Sequence, residues 1–171
     1  LFSDSEIVNN FINYFNLDEW KKEYKKILDS SSKTSKFALY KSEENQIPFL
    51  LELDDDTLTV YGIDGNSCNE LGNLNGIISC TENEYITNNN NTSSGYFEKT
   101  KYDYYYVYEV TSTGEIAQKH VFCKEYGYQY YAFTNQKYNE YYSYTKDGES
   151  ISESEYNENI EKINYGYNGF N

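Results

Sequence analysis

The stretch Tyr102-Asp103-Tyr104-Tyr105-Tyr106-Val107-Tyr108-Glu109-Val110 is the clearest strand signal in the chain. Successive side chains of a strand point to opposite faces, so every second residue from Tyr102 to Val110 shares one face, while Asp103, Tyr105, Val107 and Glu109 share the other. Flat aromatic rings pack well on a pleated surface. Because Tyr provides 22 of the 171 residues, we expect the face of Tyr102, Tyr104, Tyr106 and Tyr108 to pack under helices and fill much of the core.

Shorter strands are predicted on both sides of this stretch. They cover residues 37–40, 49–53, 57–61, 67–71, 77–80 and 85–87 before it, and 116–124, 126–133 and 138–144 after it. Asp64-Gly65 and Asp147-Gly148 favour tight hairpin turns. The acidic run Asp54–Asp56 is interpreted as a solvated turn rather than a cation site, and the polar run 88–95 as a loop.

Helical spacing of apolar residues is confined to the two ends of the chain. It predicts a helix over residues 3–15, a second from Asn16 to about Leu28, and a closing helix over 152–163. Together these elements predict one α+β domain over residues 1–171. Its parts are a helical hairpin (1–33) packed on an antiparallel β-meander sheet (36–146), the closing helix (152–163) and a tail (164–171).

Composition limits the chemistry open to this chain. The formal net charge is −14, all 14 basic residues are Lys, and His120 is the only histidine. Nucleic-acid binding needs clustered positive charge, so no nucleic-acid partner is expected. No run of about 18–20 apolar residues is present, so no transmembrane segment is expected either.

No residue set points to catalysis or to a cofactor. His120 and Cys123 fall on opposite faces of a regular strand, which makes them a poor nucleophilic pair. Cys68, Cys80 and Cys123 lack the spacing of a zinc site; a disulfide between Cys68 and Cys80 and three free thiols are both compatible with the sequence. Any acidic protein supplies carboxylate pairs, and no spacing here selects one for a hydrolase. We therefore predict no catalytic residue, no metal site and no cofactor.

Several segments, in order, resemble a broad group of secreted or lipid-anchored bacterial proteins that is common in gut anaerobes. Trp20-Lys21-Lys22-Glu23-Tyr24 with Leu28 resembles the group's "WK..Y...L" helix, and residues 37–50 resemble its "FALYDIDGDGIPELL" strand–loop–strand. Further matches are Val60-Tyr61, the hairpin 64–72, and 144–157, which resembles "Y.vnGkevS..EYn". The resemblance implies an extracellular or cell-surface protein whose signal peptide or lipid anchor has been removed; the group has no established activity.

The group's D-x-D-G-D-G loop looks like a calcium loop, and this chain departs from it. Lys41 stands at the first Asp position, and Glu44 and Gln46 replace the glycines that allow the tight turn. Glu43 and Asn45 keep oxygen atoms at alternate positions. Ca²⁺ takes about 6–8 oxygen ligands, so we expect no metal site here.

The abundance of Tyr implies that some rings lie on the surface, where an apolar ring with a polar tip suits sugars or a protein partner. We expect the ligand-binding residues to be Tyr105, Tyr128, Tyr131 and Tyr142. The resulting hypothesis is a non-catalytic extracytoplasmic domain that binds a protein partner or a glycan through a Tyr-rich sheet surface. A carboxylate-based hydrolase and a passive cell-surface accessory domain are the alternatives.

Overall fold

The structure, a computed structural model, describes residues 18–65, 67–81, 83–131, 133–134 and 136–164. Two helices flank ten strands in the described part of the chain. In order, the elements are α1 (Asp18–Ser30), β1 (Lys36–Tyr40), β2 (Phe49–Asp54), β3 (Thr57–Asp64), β4 (Ser67–Leu74), β5 (Ile77–Thr81), β6 (Glu84–Ser94), β7 (Glu98–Val110), β8 (Ile116–Tyr130), β9 (Lys137–Lys146), β10 (Glu149–Ser150) and α2 (Glu153–Asn164).

The strands form two antiparallel sheets, and the fold is α+β. The smaller sheet has the order β1-β2-β3-β4, and the larger has the order β10-β9-β8-β7-β6-β5. Each tight turn carries the residues that its backbone needs: Asp147 and Gly148 both have positive φ in the two-residue link between β9 and β10. Asp55, also at positive φ, lies in the turn from β2 to β3, which confirms the turn predicted at Asp54–Asp56.

Three apolar clusters hold the sheets and helices in layers. Between the sheets, Phe49, Leu58 and Val60 of the smaller sheet pack with Tyr85 and Val110 of the larger one. On the outer side of the smaller sheet, α1 buries Trp20 and Tyr24 in one cluster with strand residues; these are Phe37 and Leu50, with Leu39, Tyr61 and Ile63 partly buried around them. The outer side of the larger sheet is covered by α2 through a third cluster: Ile86, Val107, Phe122, Tyr144 and Tyr156.

Only two of the three clusters include residues of the larger sheet, and both lie at one end of it. Among the described residues, they include nothing from β6 after Ile86, from β7 before Tyr105 or from β8 after Phe122. Strands β7 and β8 have 13 and 15 residues, or about 45–50 Å each, whereas the strands of the smaller sheet have five to eight residues. The far half of the larger sheet is therefore left without a covering layer among the described elements.

The loop predicted at residues 88–95 is wrong. Strand β6 continues through Ser94, and its residues pair with β7 in unbroken register from Glu84↔Glu109 to Ser94↔Lys99. The Asn88 amide adds hydrogen bonds to the Asp103 carboxylate (2.8 Å) and the Tyr104 carbonyl (3.0 Å). A strong neighbouring strand thus overrides the weak strand propensity of an Asn-rich segment.

Two expectations for the central strands also require correction. Residues 116–130 form one strand, β8, rather than two, and the register shifts opposite Val107/Tyr108. Because of this shift, Ile116 packs between the sheets while Phe122 packs under α2, so they do not share a face as a regular strand would require. The helix-covered face is that of Tyr105 and Val107, not that of Tyr102, Tyr104 and Tyr106. Of the latter face, Tyr108 and Val110 join a core cluster, the one between the two sheets.

The helices agree with the sequence where they are described. Helix α1 matches the second predicted helix, and α2 begins after Ser152, whose hydroxyl accepts a hydrogen bond from the Glu155 backbone N–H (3.2 Å) as an N-cap. The predicted helix over residues 3–15 and the tail after Asn164 lie outside the described residues, so the helical hairpin stays a prediction. Neither described helix combines the length and the apolar character needed to cross a bilayer.

Candidate functional site

The half of the larger sheet that no described element covers presents a group of Tyr and Lys side chains, on the face that α2 covers further along. We call this group the Lys–Tyr surface; its members are Tyr126, Tyr128, Tyr142, Lys99, Lys101, Lys124 and Lys137. Their shared face follows from strand register, because residues directly opposite each other in neighbouring strands point to the same side.

Rows across the strands show how the surface is built. One row runs Thr92–Lys101–Tyr126–Tyr142 over β6, β7, β8 and β9. On either side of it lie the rows Asn90–Asp103–Lys124–Tyr144 and Ser94–Lys99–Tyr128. The β6 edge of the surface thus offers amide and hydroxyl groups, while its centre offers ammonium groups and rings.

The tyrosine rings lie against one another. Tyr126 and Tyr142 are stacked, with their ring centres 4.8 Å apart and their planes 17° apart, and Tyr128 lies 5.3 Å from Tyr126 on the other side. Tyr142 is 54% exposed, so much of its ring is open to solvent. Tyr126 and Tyr128 are half-buried by their neighbours in this group. The result is a continuous aromatic strip across β8 and β9.

Two lysines lie on these rings. The Lys137 ammonium is 4.5 Å from the centre of the Tyr128 ring and 5.5 Å from that of Tyr126. The Lys124 ammonium is 5.5 Å from the Tyr142 ring centre and 5.8 Å from that of Tyr144. Such cation–π contacts stabilise an exposed pair by roughly 0.5–1 kcal/mol and fix where the ammonium lies.

A hydrogen-bond chain links the cation at Lys137 to a carboxylate. Lys137 donates to the Tyr126 hydroxyl (3.3 Å), and that hydroxyl donates to Glu140 (2.6 Å). The hydrogen bond to Glu140 raises the pKa of Tyr126, and the bond to the Tyr126 oxygen raises the pKa of Lys137. Both groups therefore stay protonated near neutral pH.

The lysines of the larger sheet are distributed unequally between its faces. Its strands contain six lysines, and all six belong to the face of the Lys–Tyr surface and of α2. Lys119 is paired with Glu84 (2.7 Å) and Glu109 (3.2 Å). In contrast, none of the four lysines of the Lys–Tyr surface makes an ion pair with a carboxylate in the described part of the chain.

The opposite face carries a second set of rings, which we call the Tyr ladder: Tyr102, Tyr104 and Tyr106. These rings are stacked along one strand with centres 6.0 Å apart at each step. Their cross-strand neighbours are uncharged or acidic; they are Thr87, Asn89, Asn91, Val121, Cys123 and Glu125. The ladder is half-buried and has no lysine on its face among the described residues.

The four tyrosines predicted to bind a ligand are not all in one place. Tyr128 and Tyr142 belong to the Lys–Tyr surface. Tyr105 is half-buried and packs in the cluster under α2. Tyr131 is 53% exposed, lies after the end of β8 and stacks on Tyr138 at 4.3 Å, and Tyr138 is the strand partner of Gln129.

The prediction from sequence missed Tyr126 and the four lysines. Alternation along β7 does place Lys99, Lys101 and Asp103 on one face, which was an available signal. What the sequence lacked was the register of β7, β8 and β9, because β9 is irregular where it passes Gly127 and Gln129 and has Asn139 at positive φ.

Outside this surface, described residues line two cavities. One of about 340 Å³ lies beside α2, with Ile86, Val107 and Phe122 on an apolar side and a single carboxylate, Glu84, in its lining. The other, of about 210 Å³, also has one carboxylate, that of Asp55. His120 lines the first cavity, and its Nδ1 lies 2.8 Å from Asp147, whose other oxygen accepts the Val121 N–H. These bonds, chiefly the one from Val121, lower the pKa of Asp147.

The cysteines and the loop of residues 41–46 also lie outside the Lys–Tyr surface. The three cysteines are free, and burial raises the pKa of Cys80 to about 12, which makes its thiol unreactive near neutral pH. In the loop of residues 41–46, the Ser42 hydroxyl and the Asn45 amide both donate to the Ser112 carbonyl, at 3.1 and 2.7 Å. No cluster of three or more His, Cys, Asp or Glu with metal-binding geometry occurs among residues that the structure describes.

Comparisons with protein-family models, with curated proteins and with solved structures found no match to this chain. Its own residues therefore carry any functional inference.

Proposed function

We propose that this chain is a non-catalytic binding domain that holds a glycan on the Lys–Tyr surface. The main support is the strip of Tyr126, Tyr128 and Tyr142 on a part of the sheet that no described element covers, with a half-exposed ring at its edge. A tyrosine ring offers an apolar face to the C–H groups of a sugar and a hydroxyl to its polar groups. Asn90, Thr92 and Ser94 add hydrogen-bonding groups along one border.

A glycan fits this surface better than a protein partner does. Protein interfaces are depleted of lysine at their centres, because burying an ammonium group is costly. Here Lys124 and Lys137 lie at the centre of the aromatic strip. A sugar chain leaves much of such a surface hydrated, so the lysines need not lose their contact with water.

Catalysis has less support than binding. A glycosidase needs two carboxyl groups about 5–9 Å apart across a cleft. The cavity beside α2 and the one beside Asp55, both lined by described residues, have one carboxylate each, and Glu84 is also bound by Lys119. The proposed setting is the cell exterior, as the resemblance to secreted and lipid-anchored bacterial proteins implies.

The test is a glycan array with the purified chain, followed by two neighbouring variants. Tyr142→Ala removes the exposed ring of the Lys–Tyr surface, and Tyr141→Ala removes the next residue, which is 42% exposed but points to the opposite face. We expect Tyr142→Ala to weaken glycan binding about tenfold, the effect of losing one stacked ring, and Tyr141→Ala to leave it unchanged. Equal effects of both variants, or no binding to any glycan, would contradict the proposal.

A further inference from the structure

We propose that the ligand of the Lys–Tyr surface is an acidic glycan, whose carboxylate or sulfate groups contact Lys101, Lys124 and Lys137. This inference rests on the proposed function and adds the chemical class of the sugar. It depends on the charges of the surface, whereas the proposed function depends on its rings.

Positive charge that makes no ion pair within the described residues is concentrated on the Lys–Tyr surface. The chain has a net charge of −14, yet four ammonium groups gather on this surface. The sheet strands add two carboxylates to the same surface, those of Asp103 and Glu140. Asp103 already accepts a hydrogen bond from Asn88, and Glu140 accepts one from Tyr126. An ammonium group has three donors, so Lys137 retains two after its bond to Tyr126.

The rings of the Lys–Tyr surface are already in contact with ammonium groups. A neutral sugar would stack on an open ring face, but ammonium groups lie near the rings of Tyr126, Tyr128 and Tyr142. A sugar that carries an anion can bond to these cations while it contacts the exposed parts of the rings. Hydrogen bonds between charged partners are about twice as strong as neutral ones, which favours the acidic ligand.

The overall negative charge of the protein does not prevent this contact. The Debye length is about 8 Å at physiological ionic strength, so a group bound to the surface responds mainly to the charges within that distance. The surface spans about 13 Å along β7, from Lys99 to Asp103, and about 14 Å across β6 to β9. A ligand at its centre is thus within about one Debye length of the lysines of the surface, whereas acidic residues well beyond its borders are largely screened from that ligand.

The test compares matched oligosaccharides that differ only in charge, by calorimetry with the full chain. Oligogalacturonate is compared with its methyl ester, and a sulfated dextran oligomer with the unsulfated one. We expect the acidic member of at least one pair to bind about tenfold more tightly, a preference that decreases as salt is added. The pair that shows the difference identifies carboxylate or sulfate as the recognised group.

Variants then assign the preference to the lysines. Lys124→Gln/Lys137→Gln should reduce acidic-glycan binding about tenfold and should not weaken neutral-glycan binding, because the ring faces stay available. The control, Lys33→Gln/Lys41→Gln, removes the same charge from exposed lysines outside the larger sheet and should have no effect. Unchanged melting temperatures for both double variants would exclude unfolding as the cause.

The outcomes separate this inference from the proposed function. Equal affinity for acidic and neutral members overturns the inference and leaves glycan binding standing. Absence of binding to every array member overturns both. Polyglutamate that binds as tightly as the acidic sugars also overturns the inference, because charge alone would then explain the binding.

Discussion

The two faces of the larger sheet carry the same aromatic side chain in different surroundings. On the Tyr ladder, rings stack along one strand, 6.0 Å apart, among uncharged and acidic neighbours. On the Lys–Tyr surface, Tyr126 and Tyr142 stack across strands at 4.8 Å, with ammonium groups placed on the rings. A tyrosine count alone therefore says little about function. The two faces differ in the charges beside their rings, and on our proposal that difference marks the Lys–Tyr surface as the one that binds a ligand.

The largest expected loss of stability follows removal of a buried ring on the helix-covered face, and removal of an exposed ring on that face should cost much less. Tyr156 is 4% exposed and packs on Tyr144 with a ring-centre distance of 5.1 Å. We expect Tyr156→Ala to lower the free energy of unfolding by about 3 kcal/mol, because the change leaves a cavity under α2. Tyr142→Ala should cost less than about 1 kcal/mol, since its ring is half-exposed. Urea denaturation followed by circular dichroism measures both; similar losses would assign Tyr142 to the core.

Alkaline pH should act through the buried tyrosines. Burial, with a further contribution from the hydrogen bond to Glu153, raises the pKa of Tyr144 to about 12, and burial also raises the pKa of Tyr24, Tyr85 and Tyr156. The unfolded chain has a tyrosine pKa of about 10, so between pH 10 and 12 the folded state binds more protons. The resulting contribution to stability is complete below pH 10 and is lost as pH rises through the folded values.

Melting temperatures between pH 8 and 12 provide the measurement. We expect a plateau up to about pH 10 and a steep fall above it. Tyr144→Phe has no ionisable hydroxyl at this position, so its fall should be shallower. Parallel curves for the variant and the parent chain would show that Tyr144 does not contribute.

A smaller effect is expected at Gly127, on the face of the Tyr ladder. The Tyr141 ring lies over this glycine, and a Cβ added at Gly127 would be 2.1 Å from the ring. Gly127→Ala should therefore destabilise the protein by about 1 kcal/mol, because the ring must move away. In the Tyr141→Ala background, the same change should be neutral or stabilising, since alanine suits a strand better than glycine does. A double-mutant cycle that shows simple additivity would contradict this contact.

The smallest effect on stability is expected on the Lys–Tyr surface itself. Lys137→Gln removes cation–π contacts with Tyr126 and Tyr128 and should cost at most about 1 kcal/mol. A denaturation midpoint close to that of the parent chain is the expected result. A loss of several kcal/mol would mean that Lys137 stabilises the fold and would weaken its assignment to ligand binding.

Much of the strand pattern could be predicted from local signals. Alternation in residues 102–110 gave β7, and Asp147-Gly148 predicted the turn between β9 and β10. The polar residues 88–94 could not be recognised as a strand, because their order comes from pairing with β7 rather than from their own propensity. The sequence also could not show which face of β7 a helix covers, since Tyr lies on both faces of this strand.

The candidate site was only partly predictable for a related reason. The sequence predicts Tyr128 and Tyr142 as ligand-binding residues, and both lie on the Lys–Tyr surface. Their meeting with Tyr126 and Lys137 depends on the irregular pairing of β8 with β9, which no local pattern encodes. Tyr105 shares their face, but α2 covers that end of the sheet, a tertiary contact that sequence alternation does not report.

Chemical-shift mapping by NMR tests the central claim most directly. Isotope-labelled protein is titrated with the array glycan that binds most tightly. If the Lys–Tyr surface binds the glycan, the largest shifts occur at backbone amides of residues 99–103, 124–128 and 137–142. Shifts confined to the Tyr ladder's β6 neighbours, to the cavity beside His120, or to the loop of Ser42 and Asn45 would contradict it.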